Sequence, residues 1–239
     1  MTPSLCSTCV SETSAFSVLD LRERSIGVQG GMLLAHLVPI MGTFTSVELR
    51  GNKLGDKGWG AFFAAICGNK DSKIMSMDAS CENINPAGIA EALRTSVTGA
   101  LTVTNLLRNE LDAESAKMLV QVAKQKGISL CGIQRDQTIA DFSYQNLKLP
   151  DAILLASDLS QAIVTGALTV ANLLSNQLNM KSAKMLAEVA KQKGISLCGI
   201  KRDQTTADFS DQGLKPPDAI LLASDLSQAV VTGGLAKIK

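Results

Sequence analysis

Residues 97–163 recur as residues 164–230, 67 positions on, with about 14 differences, and a third copy begins at Val231. A chain that repeats itself this closely folds as stacked copies of one small unit, because each copy needs its neighbour to bury its apolar face. The substitutions between copies cluster at positions such as Arg108/Ser175, Glu110/Gln177, Asp112/Asn179, Glu114/Lys181 and Tyr144/Asp211, while the apolar positions are kept, so these five pairs are expected on the surface.

Each copy divides again. Leu106-x-x-Asn109-x-Leu111 is echoed by Phe142-x-x-Gln145-x-Leu147, and the same frame runs back through Met77-x-Ala79-x-x-Glu82-x-Ile84, Val47-x-Leu49-x-x-Asn52-x-Leu54 and Leu19-x-Leu21-x-x-Arg24-x-Ile26. The anchors stand at 24, 52, 82, 109, 145, 176 and 212, each succeeded by a helical apolar pattern, with steps of 28, 30, 27, 36, 31 and 36. This spacing predicts about seven strand–turn–helix units in one α/β stack. Residues 1–15 form a tail or cap, 16–239 a single stack, and 231–239 its C-terminal cap.

This series resembles the ribonuclease-inhibitor-like branch of the leucine-rich-repeat family, with 47–66, VELRGNKLGDKGWGAFFAAI, as the nearest match, and its paired repeats look like those of repeat proteins from algal protists. The resemblance runs from Phe16 to about Val230. It implies a leucine-rich-repeat solenoid, a horseshoe with a parallel sheet on the concave side and helices on the convex side. The chain departs from the family where Gln145, Gln212, Glu82 and Arg24 replace the turn Asn, which bears on the turn geometry of those layers.

Strand alternation sends Val47 and Leu49 into the core and Glu48 and Arg50 outward. By the same frame Leu49, Leu106, Phe142, Leu173 and Phe209 are expected buried, and Glu48, Asn105, Asp141, Asn172 and Asp208 are not. The amides of Asn52, Asn109, Gln145, Asn176 and Gln212 are expected to form a structural ladder in the turns, offering donors and an acceptor to the backbone. Ala183, Leu186, Ala187 and Ala190 recur at helical spacing, as do Ala219, Leu222, Ala223 and Leu226, so each stripe is expected to face the sheet. Asp151 and Asp218 come after prolines in a first helical turn, where acids suit the helix dipole. The two long steps contain GISLCGI-x-RDQT at 127–138 and 194–205. This insert is either an extra short strand ending in a turn at Arg135-Asp136 or an ordered loop at the rim; the need to bury Ile128, Leu130 and Ile133 favours the strand.

Lys and Arg (23) nearly balance Asp and Glu (22), so no field favours nucleic acid or an anionic membrane. The N-terminus lacks a secretory or Arg-rich transit pattern, and no apolar run approaches the roughly 20 residues of a membrane span. The expectation is a soluble intracellular protein, cytoplasmic, or organellar if a transit segment has been removed. Six cysteines without framework spacing fit reduced thiols; Cys6 and Cys9 form a CxxC that is half a zinc site, a redox pair or an inert tail, with no second pair to complete it. The one histidine, His36, supports neither a Ser/His/Asp triad nor a His-rich metal site and reads as structural. No phosphate-binding glycine motif occurs, and Trp59 reads as a packing residue rather than a ligand platform. No catalytic residue, metal or cofactor is expected.

The first outward strand position reads Asp20, Glu48, Asp78, Asn105, Asp141, Asn172, Asp208 along the stack. Like charges about 4.8 Å apart repel and raise one another's pKa. The column is therefore a solvated face paired with Arg22 and Arg50, or a docking strip for basic groups of another protein; catalytic carboxylates lack a second role and a pocket. The next outward column carries Leu107 and Leu174, exposed if the stack stands alone, and an apolar spot on a concave face suggests an interface. The expected function is a non-enzymatic scaffold binding a protein partner through Glu48, Arg50, Asp78, Leu107, Asp141, Leu174 and Asp208. The alternatives are a structural subunit of a large photosynthetic or cytoskeletal assembly and, by family analogy alone, a GTPase-activator-like regulator, which needs a catalytic rim residue that the sequence does not supply.

Overall fold

The computed structural model describes residues 17–97 and 99–239, so the N-terminal tail, Phe16 and the Cys6–Cys9 pair lie outside the described residues. The chain is mixed α/β with short parallel strands. The strands are β1 (Val18–Asp20), β2 (Ser46–Glu48), β3 (Ser76–Asp78), β4 (Val103–Asn105), β5 (Ile139–Asp141), β6 (Val170–Asn172), β7 (Thr206–Ala207) and β8 (Lys237–Ile238). The helices are α1 (Gly27–Leu37), α2 (Gly55–Gly68), α3 (Pro86–Arg94), α4 (Ala113–Lys126), α5 (Leu149–Ser160), α6 (Ala162–Thr165), α7 (Met180–Lys193), α8 (Pro216–Leu226) and α9 (Ala229–Thr232). Each of the seven anchors thus has a strand before it and a long helix after it. The long helices pack in chain order, α1 on α2 through to α7 on α8, with α6 and α9 as short spurs behind α5 and α8.

The strands form three parallel groups, β1-β2-β3-β4, β5-β6 and β7-β8. The breaks fall where the inserts stand. After α4, the segment around Ser129–Cys131 takes the place beside β4: Thr104 N–H donates to Ser129 O (2.8 Å) and Leu106 N–H to Leu130 O (2.9 Å). The second insert repeats this beside β6, with Ala171 N–H to Ser196 O and Leu173 N–H to Leu197 O. Of the two sequence alternatives the inserts stand nearer the first: they make isolated bridges rather than a full strand, at Ser129 and Cys131 in one insert and at Ser196 in the other, with Ile128, Leu130 and Ile133 buried.

Backbone groups in the turns are satisfied by the anchors. Asn109 Nδ2 donates to Ala79 O and Leu106 O while its Oδ1 accepts from Glu82 N–H. Asn176 does the same with Phe142 O, Leu173 O and the N–H groups of Gln145 and Leu147, and Asn52 with Leu21 O, Leu49 O, Arg24 N–H and Ile26 N–H. Each amide therefore ties its own strand end to the turn of the layer before it. Where Glu82 replaces Asn, its carboxylate accepts from Asn52 N–H (2.8 Å), Leu54 N–H (3.3 Å) and the Trp59 indole (3.1 Å). Trp59 is fully buried against Phe62 and Phe63, a packing residue with its one polar atom satisfied.

Gln145 and Gln212 are longer, not fully buried, and reach only the carbonyls of Asp141 and Asp208 in their own layers. The link to the preceding layer passes to an acid of the next helix. Asp151 accepts from Lys148 N–H at the start of α5 and from Arg108 N–H of the previous turn, and Asp218 does so from Lys215 and Ser175. Their place in the first turn therefore serves more than the helix dipole. Replacing Asn109 or Asn176 with Ala is expected to cost about 1 to 3 kcal/mol, because two carbonyls and at least one N–H lose their partner inside the fold. An unchanged urea midpoint for both variants would contradict the ladder.

Residues beside the anchors repeatedly adopt left-handed backbone, as at Arg108, Glu110, Tyr144, Asn146, Ser175 and Asp211. The five pairs named above lie there or at the helix entrances, and all their residues are exposed except Ser175, which is half-buried; of the other differences, Thr104/Ala171 is buried in both copies. The expected core register holds for Leu49, Leu106, Phe142 and Leu173, with Phe209 only half-buried in the last layers. One stripe is corrected. Ala219, Ala223 and Leu226 are exposed and Leu222 is half-buried against the core, because among the described residues no later long helix covers that side of α8. Ala183, Leu186, Ala187 and Ala190 of α7 are buried.

Candidate functional site

The strand register brings part of the acidic column together. Asp20, Glu48, Asp78 and Asn105 stand opposite one another across β1–β4, and Asp141 stands opposite Asn172 in the next group. Asp208 lies near Lys239, whose ammonium is 3.5 Å from its carboxylate. The column is thus divided among three sheets, and only its first part carries adjacent acids.

Most of these side chains have a local task. A short oxygen-bearing side chain at a strand end accepts the N–H two residues on, closing an Asx turn. Asp78 accepts from Ser80 N–H, Asp141 from Ser143 N–H and Oγ, and Asp208 from Ser210 N–H and Oγ. Asn105 and Asn172 accept from Leu107 and Leu174 N–H. Asp20 accepts from the backbone and guanidinium of Arg22, which hold its carboxyl down at about 2. Ser210 likewise lowers the Asp208 pKa.

Glu48 is the exception. Its longer side chain makes no such turn, and the hydrogen bond it does accept comes from Ser46 Oγ at 3.4 Å. Half-burial and the neighbouring Asp78 push its carboxyl pKa upward. Arg22, the cation acting on it, is already bound to Asp20. The Glu48–Asp78 pair sits in a shallow recess with Ser76, Met77 and Asn105, walled by Gly132 and Gln134 of the first insert. Gln134 Nε2 donates to Ser76 Oγ at 3.2 Å, fixing that wall. Gly132 has φ +77°, and a Cβ there would stand 3.2 Å from the Asn105 side chain. Arg50 is half-buried next to Arg22 and Arg24 at the other end of the column.

Leu107 and Leu174 are corrected from exposed to buried, at 1% and 3% exposure. Both stand in layers roofed by an insert. The inserts extend the sheet past β4 and β6 and bring Cys131, Ile133, Cys198 and Ile200 into the same core, so this column is apolar where it is roofed. Neither Leu is available to a partner.

A second set of acids is not singled out by the sequence pattern. Asp158 of α5 is fully buried and accepts from Ser129 Oγ (2.7 Å), Leu130 N–H (3.0 Å) and Cys131 N–H (3.0 Å). Asp225 of α8 holds Ser196, Leu197 and Cys198 in the same way. Ser129 and Ser196 pass the link on by accepting from Ile133 and Ile200 N–H. These clusters clamp the inserts to the helices behind them. Burial pushes Asp158 up to about 6 and raises Asp225 as well. The thiols of Cys131 and Cys198 are driven upward by burial and by these carboxylates, which makes them poor nucleophiles. The signal in the sequence is an Asp and a Ser retained in otherwise apolar runs of both copies.

Other groups are dispersed. Cys67 is also buried and free, Cys81 is free and exposed, and His36 lies in the last turn of α1 without full burial. Among the described residues no three His, Cys, Asp or Glu side chains are placed to hold a metal ion, and no helix is long and apolar enough to cross a membrane. A larger recess on the turn side, between Arg108, Glu110, Lys148 and Asp151, mixes both charges, and its Asp151 is committed to the backbone. No protein-family model and no curated protein matches the chain.

Proposed function

We propose that the chain is a leucine-rich-repeat solenoid of the ribonuclease-inhibitor-like kind, a non-enzymatic scaffold that binds a basic segment of another protein on the concave sheet face. Seven strand–turn–helix layers in chain order, with anchor amides tying each turn to the next, support the solenoid. The observation that carries the binding reading is the Glu48–Asp78 pair. Two adjacent acids stand in register on β2 and β3, half exposed, in a recess walled by the first insert, and no cation among the described residues forms an ion pair with either. A Lys or Arg side chain entering it would offset the burial and the Asp78 repulsion that together raise the Glu48 pKa and would gain charge-assisted hydrogen bonds.

The binding site is therefore narrower than the whole column: Glu48, Asp78 and Asn105, bordered by Arg50 and Gln134. Asp141 and Asp208 act mainly in their own turns. Crosslinking capture from the source cell, with a photoreactive group at Ser76 and again on the convex face at Gln121, tests the reading. A protein recovered from Ser76 and released by salt supports it; recovery from Gln121 alone would move the interface to the helices.

A further inference from the structure

Asp151 draws two cations to one place. Its carboxylate is buried at the start of α5, where one oxygen accepts Arg108 N–H (2.7 Å) and the other Lys148 N–H (2.9 Å). Residues of neighbouring layers thus meet at a single anchor, and their exposed side chains line one recess of about 450 Å³ on the turn rim. Asn146 and Gln177 line it as well, and Gln177 Nε2 donates to Asn146 Oδ1 at 3.1 Å, which leaves Asn146 Nδ2 as a further donor. Both oxygens of Asp151 are filled by backbone N–H groups, and no carboxylate among the described residues forms an ion pair with Arg108 or Lys148. Like charges gathered in one recess repel, and an anion between them removes that cost. The N-terminus of α5 is itself taken by Asp151, so a ligand meets the side chains and not the helix end.

The second copy shows that the fold does not need this charge. There Asp218 makes the same two bonds, accepting from Ser175 N–H (2.9 Å) and Lys215 N–H (2.8 Å), and Ser175 has the left-handed backbone of Arg108. Yet Ser175 stands in the place of Arg108, Gln177 in that of Glu110 and Gly213 in that of Asn146, and only the lysine is kept. The turn is preserved while its side chains are not. The grouping of Arg108, Lys148 and Asn146 therefore belongs to the first copy and is not a requirement of the turn.

We propose that this recess binds a phosphate monoester, a small molecule that carries an amino group beside its phosphate. The guanidinium of Arg108, the ammonium of Lys148 and Nδ2 of Asn146 are three separate donors for the three terminal oxygens of the phosphate, which bears about −1.5 to −2 charge at neutral pH. A carboxylate brings less charge and fewer oxygens to the same donors. Glu110 is exposed on the same recess and forms no ion pair among the described residues, so it opposes a bare anion and accepts an ammonium group. The site lies on the turn rim, apart from the Glu48–Asp78 recess, and does not rest on the partner-binding reading.

Isothermal titration calorimetry of the full chain with phosphoethanolamine and with inorganic phosphate tests the proposal. The expected result is one phosphoethanolamine bound per chain, at least tenfold more tightly than inorganic phosphate. Arg108→Ser and Glu110→Gln each bring the second copy's own residue into the first, so both should keep the fold, which the thermal midpoint checks. Arg108→Ser should weaken phosphoethanolamine at least tenfold, and Glu110→Gln should abolish the preference for it over inorganic phosphate. Absence of binding at millimolar phosphoethanolamine would overturn the proposal, as would binding that Arg108→Ser leaves unchanged. Equal affinity of the wild-type chain for the two ligands would overturn the amino group and the role of Glu110. A phosphoserine peptide that binds where phosphoethanolamine does not would overturn the small-molecule source. Substitutions at Glu48 and Asp78 should leave phosphoethanolamine binding intact, which separates this proposal from the partner-binding reading.

Discussion

Asp158→Ala is expected to lower stability by about 3 kcal/mol at neutral pH, with a larger deficit in mild acid. The truncation removes the acceptor for one hydroxyl and two backbone N–H groups at a fully buried point, each a desolvated donor left without a partner, at about 1 to 3 kcal/mol for such a group and with partial relaxation. The pH dependence comes from the raised carboxyl. A folded-state pKa of about 6 against the ordinary 3.8 means that the folded protein holds this proton more tightly than the unfolded chain. Its contribution to stability is fully present below about pH 4 and is lost as the pH rises through 6. Denaturation midpoints of wild type and variant at pH 5 and pH 8 check this. A deficit that shrank in acid would contradict the sign, and no deficit at all would remove the clamp. Asp225→Ala should behave alike, with the same sign of pH dependence, because burial raises its carboxyl too and it holds the same three donors.

Glu82→Ala is expected to cost about 2 to 4 kcal/mol and to leave the Trp59 indole without its acceptor. Asn52 N–H, Leu54 N–H and the indole converge on this carboxylate, and Trp59 packs in turn on Phe62 and Phe63. Glu82→Gln supplies one acceptor oxygen and turns an NH2 group toward donors, so it should recover only part of the loss. Tryptophan fluorescence reports on the same spot, since the chain has a single Trp. An Ala variant with the wild-type midpoint and emission maximum would remove Glu82 from the turn ladder.

Much of the layer order is legible in the sequence because the anchors carry their chemistry in the residue type. Asn52, Asn109 and Asn176 hold both a donor and an acceptor on one short side chain, and such groups satisfy a turn from inside. Glu82 departs from the pattern, but its acceptors suffice because the donors come to it, Trp59 among them. The two glutamines hide their substitutes. Asp151 and Asp218 stand six residues further along, in a segment that reads as an ordinary helix start, and their bonds to Arg108 and Ser175 cross between layers.

The site is less legible. Asp78, Asp141 and Asp208 each precede a serine by two residues, a local Asx pattern that charge alone does not disclose. Leu107 and Leu174 read as free surface in the sequence because burial of a strand position depends on the adjoining segment, and here that segment is an insert. The α5 and α8 stripes make the same point most clearly: Ala152, Leu155, Ala156 and Leu159 are buried in α5, while the identical residues of α8 are exposed or half-buried. No reading of one segment can separate them, because the difference lies in the neighbour.

Since Asn105 and Asn172 close the same turn that Asp78 closes, Asp78→Asn keeps its hydrogen bond and removes only the charge; Glu48→Gln is similarly conservative. The affinity of the protein captured at Ser76, measured for wild type and for the double Glu48→Gln, Asp78→Asn variant at low and physiological salt, is the most direct test of the concave face as a binding surface. The expected result is at least a tenfold loss, about 1.4 kcal/mol or more, with a flatter salt dependence and an unchanged unfolding midpoint. Equal affinity of the two proteins at both salt concentrations would contradict it.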